Sequence, residues 1–223
     1  MNTGKLPQSL PLNRERLAQA VELLGAIDAD LARIGAELGP PPLWRREPGF
    51  ATLVHIILEQ QVSLYSALAA FKKLEQALGT VEPGAFLTLD DAQLKIIGFS
   101  RQKTAYCRGL AQAVLAGELD LHAMHGLEDE AVRAALTRLK GVGNWSADIY
   151  LMEVLLRPDI WPTGDLALAT AVQRAKSLPA RPNPQQLEAI AEPWRPYRAV
   201  AARMFWHSYL AALGPNPWLV DES

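Results

Sequence analysis

Apolar residues recur in this sequence at the spacing of a helix, and nowhere do they alternate with polar ones over the length of a strand. Leu17, Val21, Leu24, Leu31, Ile34 and Leu38 fit one long helix behind an Asn13 cap, stopped by Gly39, Pro40, Pro41 and Pro42. Phe50, Leu53, Val54, Ile57 and Leu58 share a helical face, as do Leu64, Leu68, Phe71, Leu74 and Leu78 behind a cap at Ser63. Thr88 to Asp91 resembles a capping box, opening a short helix that ends at Gly98; another runs from Ser100 to about Ala116. Asn183, Pro184 and Gln186 read as cap, first-turn proline and capping-box partner. A last long helix starts near Pro196 and continues through Val200, Met204 and Leu210 to Gly214. Tyr65, Tyr106 and Met152 fit the core stripes of such helices and read as packing, while Arg195, Arg198 and Arg203 suggest a basic, solvated surface. The class is all-α.

Composition narrows the chemistry. With 223 residues, 49% hydrophobic and 21% charged, the chain is long enough for a substantial core and has the balance of a soluble globular protein. No apolar run approaches the roughly 18 residues of a membrane span. Residues 1–12 are polar and proline-punctuated, a loose arm without the apolar centre of a signal peptide, so a cytoplasmic protein is expected. One cysteine, Cys107, excludes an internal disulfide and a four-cysteine iron–sulfur site; the histidines at 55, 122, 125 and 207 make no metal set. A net charge of −2 argues against a protein that coats nucleic acid indiscriminately, but leaves room for a local cationic face.

The densest signal lies in residues 139–165. Leu139-Lys140-Gly141-Val142-Gly143 sits between two helical patterns and makes a tight turn. Without a Cβ at Gly141 and Gly143 the backbone can take positive φ and lie against another surface. Backbone N–H groups at the turn and the following helix start would then face one way, a concavity suited to a phosphate oxygen. Downstream, Pro162-Thr163-Gly164 leads rigidly into Asp165 at the start of another helix. By itself, Asp165 is an excellent N-cap and needs no other role. Leu94 to Gly98 echoes the turn in degenerate form, with Ile96 in place of the first glycine.

Leu139-Lys140-Gly141-Val142-Gly143-Asn144-Trp145-Ser146-Ala147 followed by Pro162-Thr163-Gly164-Asp165-Leu166 resembles the helix-hairpin-helix/Gly-Pro-Asp superfamily of DNA glycosylases, and within it the AlkA-like 3-methyladenine DNA glycosylases. Glu59-Gln60-Gln61-Val62-Ser63 ahead of that stretch and Trp194 to Arg198 behind it extend the resemblance over most of the chain. It implies a single glycosylase unit over residues 1–223, folded as two helical lobes with a cleft between them. One lobe would span about 44–168, with the hairpin at 139–148, and the other about 13–43 plus 169–223. The implied activity is base excision repair: hydrolysis of the N-glycosidic bond of alkylated purines of the 3-methyladenine type in double-stranded DNA by a monomer.

Roles carry over by position. Asp165 would be catalytic, since a fixed carboxylate stabilises the positive charge that builds on the sugar as a base departs, and can orient the attacking water. Relatives that also cut the strand carry a lysine where this chain has Trp145, so a monofunctional enzyme is implied. Trp145 would wall the base pocket, its electron-rich face attracting a cationic alkylated purine, and Trp206 on the last helix is a second candidate wall, with core packing the alternative reading. Gln61 would be the wedge that fills the gap left by a flipped base. Gly141, Val142, Gly143 and Ser146 would hold phosphates, positioning the duplex without reading its sequence. No cofactor, iron–sulfur cluster or metal ligand is implied, beyond a monovalent cation bridging hairpin carbonyls and phosphate in the DNA complex. Two alternatives stand beside this: a non-catalytic hairpin module that binds damaged DNA with Asp165 reduced to a cap, and a glycosylase for oxidised or mismatched bases.

Overall fold

The computed structural model describes residues 10–214, so the loose arm expected over 1–12 lies almost wholly outside the described residues. Among these residues there are twelve α-helices and no strand, and the expected all-α class is found. Two compact units divide the chain: Arg46–Tyr150 forms one, and Met1–Arg45 with Leu151–Ser223 forms the other. No helix among the described residues is long and apolar enough to cross a membrane.

The Arg46–Tyr150 unit contains α3 (Phe50–Glu59), α4 (Leu64–Leu78), α5 (Pro83–Thr88), α6 (Asp91–Ile97), α7 (Arg101–Leu115), α8 (Asp129–Thr137) and α9 (Asn144–Ile149). α3 is its axis, with Phe50, Leu53, Val54, Ile56, Ile57 and Leu58 all buried. Phe86 is fully buried between Phe50 and Phe99, at ring-centroid distances of 5.8 and 5.7 Å. Ser63 caps α4 as the sequence suggests, and Ser100, where the next long helix was expected to begin, caps α7. The capping box before α6 falls two residues later than Thr88, on Asp90 and Gln93. Thr88 instead closes α5, its hydroxyl donating to the Ala85 carbonyl, because Pro83 starts a helix that carries through it. Tyr65, read as packing, is 55% exposed.

A titratable cluster lies at the end of α3. Buried Glu59 accepts from Arg46 Nη2 at 2.8 Å, and His55 Nε2 is 3.6 Å from the same carboxylate oxygen. The His55 ring stacks on Phe71, centroids 4.5 Å apart. Burial pushes the imidazole pKa down to about 4; nearby Arg46 assists and Glu59 opposes.

The other unit contains α1 (Arg14–Ile27), α2 (Ala29–Leu38), α10 (Leu166–Ala175), α11 (Pro184–Ala191) and α12 (Arg198–Ala211). The single long helix expected after Asn13 is broken at Asp28, which leaves helical geometry at φ −140°, ψ 113°. Its Oδ1 accepts from the Asp30 and Leu31 N–H groups, starting α2, while Oδ2 accepts from Lys176 Nζ at 2.8 Å and Trp194 Nε1 at 2.9 Å. Burial alone would raise the Asp28 pKa; the Lys176, Trp194 and Leu31 bonds outweigh it and hold the carboxyl below its usual range. The apolar spacing ran unbroken across Asp28 because α1 and α2 face one core, through Leu24 and Leu31.

Arg203 corrects the reading of a basic C-terminal surface. It is fully buried, donating to the carbonyls of Met152 (2.6 Å), Ala199 (3.1 Å) and Leu43 (3.1 Å). Arg195 and Arg198 both engage Asp159, at 2.7 and 2.8 Å. The expected cap, proline and box at Asn183, Pro184 and Gln186 are all present at α11.

His55 gives a test. The fold holds it neutral until about pH 4, whereas an unfolded histidine takes its proton near 6.5, so the stability tied to neutral His55 is complete above about pH 6.5 and is lost as the pH falls towards 4. The loss should approach 1.4 kcal/mol per pH unit, that is about 2 kcal/mol between about pH 6.5 and 5. His55→Phe keeps the stack on Phe71 and should flatten this part of the profile in urea denaturation; an unchanged slope would assign the proton to another group.

Candidate functional site

In the Arg46–Tyr150 unit, α8 and α9 form the two arms of the expected hairpin. Val132 and Leu136 bury the inner face of α8, and Arg133 crosses to buried Asp148 at 2.6 Å while also pairing with Glu130. The turn closes through Val142 N–H to the Leu139 carbonyl at 3.1 Å. Its two glycines do different jobs. Gly141 has φ +95°, and a Cβ there would lie 2.1 Å from Cγ of the Tyr106 ring, so nothing larger fits. Gly143 is exposed at φ −94°, and a Cβ there would meet nothing within 4 Å. Gly141 is therefore demanded by the fold. Gly143 is not: of the two glycines, only Gly141 uses the positive φ open to both.

The remaining hairpin positions divide the same way. Val142 is buried and its N–H is used inside the turn; Ser146 is only 2% exposed, its hydroxyl accepting from Gln60 Nε2 at 2.9 Å. Both therefore hold the hairpin together from within. Trp145 is partly exposed, and Arg138 and Lys140, flanking the turn, are exposed cations.

The loop between α3 and α4 belongs to the same unit. Gln61 is exposed and adopts φ +57°, a left-handed conformation that costs a non-glycine residue about 1–2 kcal/mol. The residue before it is anchored twice. Gln60 Nε2 donates to the Gly141 carbonyl at 2.8 Å as well as to Ser146, and the Gln60 carbonyl accepts from Lys103 Nζ at 2.9 Å. Lys103 also takes the Leu58 carbonyl at 2.7 Å, placing a cation where the end of α3 presents its carbonyls. Burial lowers the Lys103 pKa against the opposing influence of Cys107 and Glu59, and burial pushes the Cys107 thiol up to about 12. That thiol is inert packing.

Asp165 and Trp206 lie together in the other unit. The lead-in is a compact turn, with Thr163 N–H on the Trp161 carbonyl, Asp165 N–H on the Pro162 carbonyl, and Gly164 at φ +88°. Asp165 caps α10: its Oδ1 accepts from Leu168 N–H at 2.6 Å and from Trp206 Nε1 at 3.3 Å, and the residue stays partly exposed. Edge to face with Trp206 is Trp44, centroids 6.3 Å apart and planes at 68°. Trp44 has φ +48°, and Arg203 holds the carbonyl of the residue before it. This arrangement can present a carboxylate beside aromatic surface. Among the described residues no His, Cys, Asp and Glu gather into a group of three or more able to hold a metal ion.

Sequence reasoning passed over Gln60, Tyr106 and Trp44 as site residues. The doubled glutamine ahead of Val62 was a usable sign for the first. Nothing in the spacing marks Tyr106 as the ring beneath Gly141, or Trp44 as the partner of Trp206.

Residues 54–196 match the family model of the HhH-GPD superfamily of base excision DNA repair proteins. YfjP of Bacillus subtilis is 26% identical over 186 residues, 80% of this chain; the chain spans 65% of that protein's length. DNA-3-methyladenine glycosylase 1 of Schizosaccharomyces pombe is 25% identical over 166 residues, covering 73% of this chain and 72% of the relative. Among solved structures, a DNA-3-methyladenine glycosidase from Bacillus halodurans superposes with a TM-score of 0.70 at 28% identity, covering 85% of this chain and 88% of the other.

The division of labour between the glycines is testable by thermal or urea unfolding. Gly141→Ala should cost about 2 kcal/mol or more, from left-handed strain and the clash with Tyr106. Gly143→Ala should stay within about 0.5 kcal/mol of the parent. Equal losses at both positions would contradict the assignment.

Proposed function

Because the chain belongs to the HhH-GPD superfamily of base excision DNA repair proteins, we propose that it is a DNA glycosylase that hydrolyses the N-glycosidic bond of alkylated purines, of the 3-methyladenine type, in double-stranded DNA. The observation that carries the proposal is Asp165. It is a partly exposed carboxylate at a helix start behind Pro162-Thr163-Gly164, beside an indole, with two donors gathered on one oxygen.

The chemistry follows from charge. An alkylated purine is cationic and leaves readily as a neutral base, while positive charge develops on the deoxyribose. A fixed carboxylate stabilises that charge without reorganising, and can orient the water that completes hydrolysis. The Trp206 and Leu168 bonds to Oδ1 set the carboxylate's orientation, and Asp165 in this role replaces nothing in its role as cap. Trp206, bonded to Asp165, would offer a π face to the flipped purine, worth about 1–2 kcal/mol if desolvated.

On the DNA side, open Gly143 would admit a phosphate close to the backbone at the start of α9, with exposed Arg138 and Lys140 beside it. In the DNA complex a monovalent cation would be held by carbonyls of the turn and would screen phosphate charge. Leu139 O and Gly141 O each already accept one bond, from Val142 N–H and Gln60 Nε2, and a carbonyl has a second lone pair to give. Trp145, standing where strand-cutting relatives have lysine, offers no amine for a Schiff base, so the product would be an intact strand with an abasic site.

Asp165→Asn is the decisive variant, because asparagine can still accept from Leu168 N–H and Trp206 Nε1 and remains a good cap. It should fold with unchanged stability yet release alkylated bases from methylated duplex about 100-fold more slowly or less. Chromatography of released bases reads this directly. Equal release by both proteins removes Asp165 from the mechanism, and binding without release by either favours a non-catalytic module. Strand breaks should appear only after alkali. Gly143→Glu, which brings bulk and negative charge to the turn, should weaken duplex affinity by about tenfold or more at low salt.

A further inference from the structure

The Gln60 side chain reaches from the α3–α4 loop into the hairpin turn, and both ends of the residue are committed. The Gly141 carbonyl can only accept, so the Gln60 side-chain atom 2.8 Å from it is the amide nitrogen, and the same nitrogen reaches Ser146 Oγ at 2.9 Å. One residue-length away, the Gln60 carbonyl is held at 2.9 Å by Lys103 Nζ, which holds Leu58 O as well. Next in the chain stands Gln61, exposed and in the left-handed region. A residue in that conformation persists where its neighbours over-determine it. Here they do: α7 supplies Lys103 to the loop and Tyr106 to the underside of Gly141, so loop and turn are both referenced to one helix.

We propose that Gln60 is a positioning residue that locks the Gln61 wedge to the phosphate-binding hairpin, with Lys103 holding the loop's carbonyls from behind. The inference rests on the glycosylase reading for its substrate. It goes beyond that reading in assigning the wedge's stiffness to a specific latch. Gripping the strand and filling the base stack then occur as one rigid engagement, and the cost of ordering the loop is met before DNA arrives. Loss of the latch should leave the grip on phosphates largely in place while the wedge no longer enters the stack.

The test uses a duplex with an abasic-site analogue and 2-aminopurine opposite it, whose fluorescence rises when the wedge disturbs its stacking. The parent should raise the signal, and Gln61→Ala should not. Gln60→Met, close in shape but without a donor, should lose most of the signal while duplex affinity falls by less than about threefold. Lys103→Met should behave like Gln60→Met, and Lys103→Arg, which keeps a cation for the two carbonyls, should restore the signal. Excision should follow: Gln60→Met should slow release of an alkylated base from duplex by about tenfold, and from single-stranded DNA, where no stack must be filled, by less than about twofold. Full fluorescence in Gln60→Met, a retained signal in Gln61→Ala, or equal slowing on both substrates would overturn the proposal. If Gln60→Met does not fold, the Lys103 pair decides alone by the same readings. Absence of base release by the parent with the fluorescence pattern intact would remove the glycosylase reading and leave the latch standing.

Discussion

The backbone of Gly141 rests on the Tyr106 ring more closely than any side chain would permit, and the elements around the hairpin are referenced to that contact. It sets the hairpin turn against α7. The same helix, three residues earlier, sends Lys103 to the carbonyls at the end of α3, and from there Gln60 returns to the turn. Helix, loop and turn thus close a ring of contacts in which each element is fixed by two others. Arg133 and Asp148 fasten the hairpin's arms beyond the turn, which leaves Gly143 outside the ring, with nothing among the described residues within 4 Å of where a Cβ would stand.

The other unit also holds charge away from water. Asp28 gathers two backbone amides, an ammonium and an indole on one carboxylate, and Arg203 spreads its guanidinium over three backbone carbonyls. Ions withdrawn from water in this way are expensive unless almost every donor and acceptor is matched, so they tolerate little displacement. One of the carbonyls held by Arg203 precedes Trp44, which stays in a left-handed conformation against Trp206, and Trp206 in turn bonds Asp165. Trp44 and Gln61 are both non-glycine residues with positive φ, and each stands next to a group assigned to the proposed chemistry.

Local rules carried much of this in the sequence. Caps at Asn13, Ser63, Asp165 and Asn183 were readable because a short polar side chain ahead of an apolar helical stripe has one economical use. Breaks that preserve the stripe were not readable: α1 and α2 keep one apolar face across Asp28, so periodicity ran straight through a real boundary. Arg203 misled for a related reason. Arginine on a terminal helix is ordinarily a surface residue, and only the convergence of carbonyls from Leu43, Met152 and Ala199, distant in sequence, makes its burial sensible. At the candidate site, the Asp165 cap and the hairpin turn were legible from motif and spacing. Gln60, Tyr106 and Trp44 were not, since each acts through a partner tens of residues away.

The interleaving of the two units bears on how the chain acquires its structure as it is made. Arg46–Tyr150 is one uninterrupted segment, whereas α1 and α2 belong with helices that follow it. Asp28 receives its ammonium from a residue 148 positions onward and its indole from one 166 positions onward. During vectorial synthesis the inserted segment can fold as soon as it emerges, while the first two helices wait with their inner faces uncovered and an unpaired acid between them. The amino-terminal segment is therefore made first and finished last, and in that interval it is the part of the nascent protein most in need of protection from aggregation.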